Sequence, residues 1–133
     1  MFKKIIAFDL DDVICRRTSE SGSVEKYKTC YPVREMVELV NQCYDSGYKI
    51  IIYTARGMNV FKKDVNKVSE NLYQLTSSQL STWGVKYHEL VMGKIHYDIL
   101  IDDKAYNSLI FKSLDDVENI FKNADVKNDK RPD

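Results

Sequence analysis

Three short apolar runs, each ending in polar or acidic residues, set the rhythm of this chain. They are Ile5-Ile6-Ala7-Phe8, Lys49-Ile50-Ile51-Ile52-Tyr53 and Tyr97-Asp98-Ile99-Leu100-Ile101. Runs this short and this continuously apolar suit strands of a parallel sheet buried on both faces. Elsewhere apolar residues recur at helical spacing. Val33, Met36, Val37, Val40 and Cys43/Tyr44 predict a helix over residues 32–46, opened by Pro32 and closed by Gly47. Val65, Val68, Leu72 and Leu75 predict a long helix over 59–83, ended by Gly84; its Ser/Thr/Gln-rich interior suggests a break near 76–78. Leu114, Val117, Ile120 and Phe121 mark a last helix, with Ser113 and Asp116 as a start resembling a capping box. Residues 85–92 are expected to link elements, with a short strand at Leu90-Val91, and 108–111 to form a short edge strand. Strand and helix therefore alternate, which predicts an α/β fold: a central, mostly parallel sheet with helices on both faces, a three-layer α/β/α arrangement.

Residues 16–28 follow neither period and are rich in Ser, Thr, Glu, Lys and Gly. A mobile loop or short hairpin is expected there, over the end of the first strand. Residues 122–133 are polar without an apolar pattern, which predicts a frayed tail. At 133 residues, with 44% hydrophobic and 30% charged positions, the chain suits one soluble domain with a single core. Acidic and basic residues balance, so the formal net charge is zero. No electrostatic nucleic-acid or membrane partner is expected from that. The apolar run near the start is too short for a signal peptide, and none approaches the roughly 20 residues of a membrane span. The three cysteines, Cys15, Cys30 and Cys43, have no metal-type spacing and suit free thiols in a reducing cytoplasm.

The chemistry is concentrated where the apolar runs stop. The first ends in Asp9-Leu10-Asp11-Asp12, the second in Thr54-Ala55-Arg56-Gly57 and the third in Asp102-Asp103, with Lys94 shortly before it. In a doubly wound sheet such ends converge on one crevice. Paired carboxylates repel unless a cation joins them or one stays protonated. Carboxylates without neighbouring His or Cys ligands suit a hard divalent ion, Mg²⁺ above all in phosphate chemistry. A hydroxyl, backbone N–H groups and a lysine beside it would grip phosphoryl oxygens. Together they point to phosphoryl transfer onto a carboxylate.

In this order, Asp9-Leu10-Asp11-Asp12-Val13, Ile52-Tyr53-Thr54-Ala55-Arg56, Lys94 and Ile101-Asp102-Asp103, the chain resembles the haloacid dehalogenase-like (HAD) phosphohydrolases. Within them it is most similar to small cap-less phosphatases of capsular polysaccharide biosynthesis. Tyr53-Thr54-Ala55-Arg56-Gly57-Met58-Asn59, Lys67-Val68, Trp83, Tyr87-His88-Glu89-Leu90, Gly93-Lys94 and Asp102-Asp103-Lys104-Ala105 carry that closer likeness. The resemblance implies a Rossmann-like, HAD-like fold. Asp9 would be nucleophile and Mg²⁺ ligand. Asp11 would be the acid/base, its backbone carbonyl facing the metal, while Asp102 and Asp103 would complete the metal site. Thr54, Ala55 and Lys94 would bind the phosphoryl group. Asp12-Val13 departs from the Gly-Thr of many members.

Neither the loop after Asp11 nor the mostly helical stretch between Thr54 and Lys94 is large enough for a separate cap domain. The expected organisation is one domain over 1–124, with a flap at about 14–30 and a flexible tail at 125–133. Arg16, Arg17, Lys26, Tyr27 and Arg56 are candidate substrate contacts. His88, His96, Trp83 and the other tyrosines are read as packing or surface residues. The expected function is a cytoplasmic, Mg²⁺-dependent phosphomonoesterase acting on a small molecule, a sugar phosphate of surface-polysaccharide synthesis being favoured; a homo-oligomer is compatible with this. The alternatives are a nucleotide or polynucleotide-end phosphatase, and a non-catalytic phosphate-binding or protein-interaction domain.

Overall fold

The computed structural model describes residues 1–20 and 22–128, with side chains as far as Asn123. Its contacts divide the chain into two units, Met1–Leu100 and Ile101–Asp133. The first holds a parallel sheet of three strands, β1 (Ile5–Asp9), β4 (Lys49–Thr54) and β5 (Glu89–Met92), in the order β1-β4-β5. A small antiparallel pair, β2 (Cys15–Arg16) with β3 (Tyr31–Pro32), flanks a one-turn helix, α1 (Glu25–Lys28). Two longer helices, α2 (Arg34–Asp45) and α3 (Val65–Thr82), provide the crossovers that parallel strands require. The chain is thus an α/β fold with a central parallel sheet.

The apolar stripes fold largely as their spacing predicts, except that Val65, expected on the α3 stripe, is 42% exposed at the first turn of that helix. Val37, Leu39, Val40 and Cys43 of α2 are buried, as are Val68, Leu72 and Leu80 of α3, around Ile50 and Ile52 of β4. Each such aliphatic side chain contributes about 1.5–3 kcal/mol on leaving water. The ends of the helices differ from expectation for local reasons. Pro32 does not open α2; it pairs with Cys15 in the β2–β3 ladder, and the Val33 N–H extends the contact to the Ile14 carbonyl at 2.7 Å. Asn59 does not begin α3, because Lys62 and Lys63 turn left-handed (φ 52° and 68°) and the Lys63 N–H closes a turn on Met58. Asp64 then caps the helix by accepting the Lys67 N–H at 3.2 Å. No break occurs at 76–78, where α3 is continuous.

Two strands expected from the sequence do not form. Residues 97–101 take no regular structure, and Ile99 is 79% exposed. With no partner on that side among the described residues, β1 is an edge strand and Ile5 is 63% exposed. Composition alone cannot make a strand without a neighbour to complete its hydrogen bonds. The edge strand expected at 108–111 is instead a 3₁₀ turn, Ser108–Ile110, capped by the Asn107 side chain on the Leu109 N–H. In the second unit, α4 (Leu114–Asn128) starts as its capping signal predicts: Asp116 accepts the backbone N–H groups of Lys112 and Ser113 at 2.8 and 3.1 Å. Residues 125–128 of the expected tail belong to this helix, and 129–133 lie outside the described residues.

Candidate functional site

Register decides where the first unit keeps its polar groups. Asp9 is the Cα partner of Tyr53, and Thr54 that of Met92, so β1, β4 and β5 stop almost level. The Lys94 N–H then donates to the Thr54 carbonyl at 3.1 Å, which brings the lysine back across the strand ends. Its Nζ lies 3.5 Å from Asp9 Oδ2, while Asp9 Oδ1 accepts the Leu10 N–H at 2.9 Å. Burial pushes the Asp9 carboxyl above the usual range, more than Lys94 pulls it down, and Asp11 adds to the rise. Burial works against the Lys94 charge too, but a hydrogen bond with Tyr97 and the Asp9 carboxylate outweigh it and raise that lysine above its ordinary value.

These groups open on a cleft of about 400 Å³, within the range of small-molecule sites. Asp9, Asp11, Thr54, Ala55 and Lys94 line it, as do Arg17, Lys26, Tyr27 and Arg56. Arg16 does not: neighbours in a strand face opposite ways, and Arg16 of β2 is exposed while Arg17 turns inward. Arg17 meets Asp12 at 3.2 Å, and its buried Nε, 3.5 Å from Glu20, makes no hydrogen bond. Asp12 itself is exposed at φ 69°, in the turn where its N–H reaches the Cys15 carbonyl. Glu20, Asn59, His96 and Tyr97 also line the cleft; nothing in their spacing announced them.

Arg56 is placed differently from a substrate contact. Its side chain is fully buried and grips Asp11 with two edges: Nε lies 3.0 Å from Oδ2 and Nη2 lies 3.1 Å from Oδ1. Nη1 donates to Thr76 Oγ1 at 3.1 Å and Gln79 Oε1 at 2.6 Å, both on α3. The Tyr27 ring lies 4.9 Å from the guanidinium, and the Tyr27 hydroxyl accepts the Gly57 N–H at 3.0 Å. Thr76, in the stretch of α3 that suggested a helix break, and Gln79 just beyond it therefore line a buried cation. A Thr and a Gln three apart on an otherwise apolar face are the signal that could have announced it.

Asp11, Cys15 and Cys30 bring ligand atoms within 4.8 Å of one another, a donor set for a soft cation. Arg56 Nη2, however, lies 3.7 Å from Cys15 Sγ, 3.5 Å from Cys30 Sγ and 3.1 Å from Asp11, so a guanidinium already supplies the positive charge. The thiols are free, and burial, with Asp11 beside it, pushes Cys15 far above the ordinary thiol range. Of the two histidines, His88 serves the sheet: its Nδ1 accepts the Ile50 N–H at 2.9 Å, and its ring stacks on Tyr44.

Asp102 and Asp103 belong to the second unit, where both are exposed. Asp102 Oδ1 accepts the Lys104 N–H at 2.9 Å, and that bond, with one from Asp103, lowers its pKa. No described helix is long and apolar enough to cross a membrane.

No protein-family model matches the chain, and neither does any curated protein. Among solved structures, the crystal structure of an MCSG target from Vibrio cholerae is similar over 90% of this chain and 98% of its own, with a TM-score of 0.77 and 25% identity. A chain in the structure of the Pnkp1/Rnl/Hen1 RNA repair complex is similar over 90% of this chain but 31% of its own, with a TM-score of 0.51 and 13% identity. A second structure of that complex gives 91%, 34%, 0.52 and 15%. This chain spans about a third of those two chains, and at such identities the likeness is one of fold. It is an α/β chain built like the Vibrio protein along nearly the whole of both, and like one portion of a component of an RNA repair complex.

Proposed function

We propose that this protein is a Mg²⁺-dependent phosphomonoester hydrolase working through a phosphorylated Asp9. The observation that carries the reading is the strand-end cluster: a half-buried carboxylate at the tip of β1, the Lys94 ammonium 3.5 Å away and Thr54 on the next strand, all facing one cleft. An Asp9 oxygen attacks phosphorus, and the bond from phosphorus to the leaving oxygen breaks. Asp11 gives that oxygen its proton, so the product leaves as an alcohol. Water then attacks the acyl-phosphate, Asp11 takes the proton, and inorganic phosphate departs with Asp9 restored. Thr54 Oγ1 accepts the Arg56 N–H at 3.1 Å, which leaves its own O–H to donate to a phosphoryl oxygen. The Ala55 backbone and Lys94 hold the others.

The cleft's donor set fits Mg²⁺ in part. Asp9 offers hard carboxylate oxygen, half removed from water, with one lysine as its cation. The Asp11 backbone carbonyl, Asp102 and Asp103 are the further ligands that the HAD resemblance assigns. When bound, the ion would neutralise charge on the phosphoryl oxygens. The finer reading, a sugar phosphate of capsule or surface-polysaccharide synthesis, rests on the resemblance and suits a cleft of this size. A polynucleotide-end phosphatase is the second reading, favoured by the likeness to a component of an RNA repair complex.

The test is hydrolysis of 4-nitrophenyl phosphate with Mg²⁺ and with chelator. Turnover should require the ion, and Asp9→Asn should abolish it. Wild-type protein inactive on every phosphomonoester tried would leave only the non-catalytic alternative, a phosphate-binding or protein-interaction domain.

A further inference from the structure

We infer that Arg56 is a positioning residue, whose buried guanidinium fixes the Asp11 carboxyl group so that it faces the leaving oxygen of the substrate, to which it gives its proton. The inference rests on the phosphatase reading and goes beyond it, since the sequence offered Arg56 only as a candidate substrate contact.

Arg56 is the largest fully buried side chain described. Removing a guanidinium from water is tolerated only when its N–H groups find partners. Here they do: Nε and Nη2 fork onto Asp11, Nη1 is shared by Thr76 and Gln79, and Nη2 also faces both thiols. A planar fork fixes both position and tilt of a carboxylate, which a lysine cannot do. The fork is itself fixed by residues of three elements. Thr76 and Gln79 come from α3, Tyr27 from the flap and Cys15 from β2, and Gln79 Nε2 in turn holds the Tyr27 carbonyl at 2.6 Å. Asp11 is left with 11% of its side chain exposed, on the cleft wall.

Stability alone does not account for this arrangement, because apolar residues of similar volume commonly replace a buried ion pair at no loss. Reactivity does. A proton donor must lie within hydrogen-bond reach of the atom it serves, and displacement by about 1 Å can cost 10²-fold in rate.

The leaving group separates aim from structure. A nitrophenolate departs without a proton, whereas an alkoxide needs one. In the full chain with Mg²⁺, Arg56→Gln should lower kcat about 10²-fold on a primary alkyl phosphate and about fivefold or less on 4-nitrophenyl phosphate. KM should stay within about twofold, because nothing is removed from substrate binding. The ratio of the two rates is independent of the fraction of protein folded. Thr76→Val, which loosens only Nη1, should move the ratio the same way by less. Asp11→Asn combined with Arg56→Gln should be no slower than Asp11→Asn alone.

Equal losses on both esters, losses that multiply in the double variant, or a raised KM at unchanged kcat would each overturn the inference. So would a wild-type enzyme that cleaves the aryl ester but no alkyl phosphate, since Asp11 would then have no leaving oxygen to serve. Wild-type protein that cleaves neither defeats the phosphatase reading itself, and the inference with it.

Discussion

A carboxylate half removed from water, with one lysine nearby, disfavours its own ionisation. Asp9 is in that state, its pKa raised chiefly by burial. A raised carboxyl pKa means the folded protein binds that proton more tightly than the unfolded chain does. The resulting stability is present below the unfolded pKa and is lost as pH rises through the folded one. At pH 7 the charge is therefore a burden in the absence of metal. Asp9→Asn keeps an acceptor for the Leu10 N–H and drops the charge. In thermal melts with chelator it should have a higher Tm than wild type at pH 7, and the gap should close below about pH 4. An Asn variant that melts at or below wild type at pH 7 would mean Lys94 compensates Asp9 fully. Loss of activity beside a gain in stability is what separates a working residue from a packing one.

Between elements, the contact that governs the site is the turn after β4 against α3. Gly57 has φ 76°, and a Cβ there would come within 2.5 Å of Leu72 Cδ1 and 3.3 Å of Phe61 Cδ2. The backbone conformation alone costs a non-glycine residue about 1–2 kcal/mol, and overpacking about 1–3 kcal/mol more. Gly57→Ala should therefore lower Tm by well over 5 °C, on the scale of roughly 4–8 °C per kcal/mol for a domain this small. Its N–H also holds the Tyr27 hydroxyl, so the flap should loosen in the same variant, seen as faster amide exchange over α1. An unchanged Tm would show that Leu72 can rotate away. On the far side of β4, His88 does by side chain what a strand does by backbone. Its imidazole continues the ladder beyond Glu89, the first residue of β5 to pair.

For the whole molecule the governing quantity is charge. Twenty basic residues meet twenty acidic ones. A protein without a basic track releases few counterions on meeting a polynucleotide. The small-substrate reading accordingly expects kcat/KM on a 3′-phosphorylated oligonucleotide no higher than on a mononucleotide, and nearly flat between about 50 and 200 mM salt. A steep fall with salt, together with a preference for the oligomer, would favour the RNA-end reading instead. Sheet order and strand polarity also belong to this scale. They bring Asp9, Thr54 and Lys94 together although long stretches of chain separate them.

What the amino-acid order determined by itself was local and periodic. It marked β1, β4 and the stripes of α2, α3 and α4, because burial selects apolar residues at strand or helix spacing whatever their partners. It also marked Asp9, Asp11 and Thr54 as candidates, because polar residues that end apolar runs stand out; Lys94 became a candidate chiefly through the HAD resemblance. Tertiary structure decided everything that depends on a neighbour. Residues 97–101 have strand composition but pair with no strand among the described residues, and residues 76–78 have the composition of a break but remain helical beside a cation from the turn after β4. Arg56 is the clearest case. A sequence shows that a guanidinium is there; only the packed fold shows whether it faces solvent, a ligand or, as here, the carboxylate of Asp11.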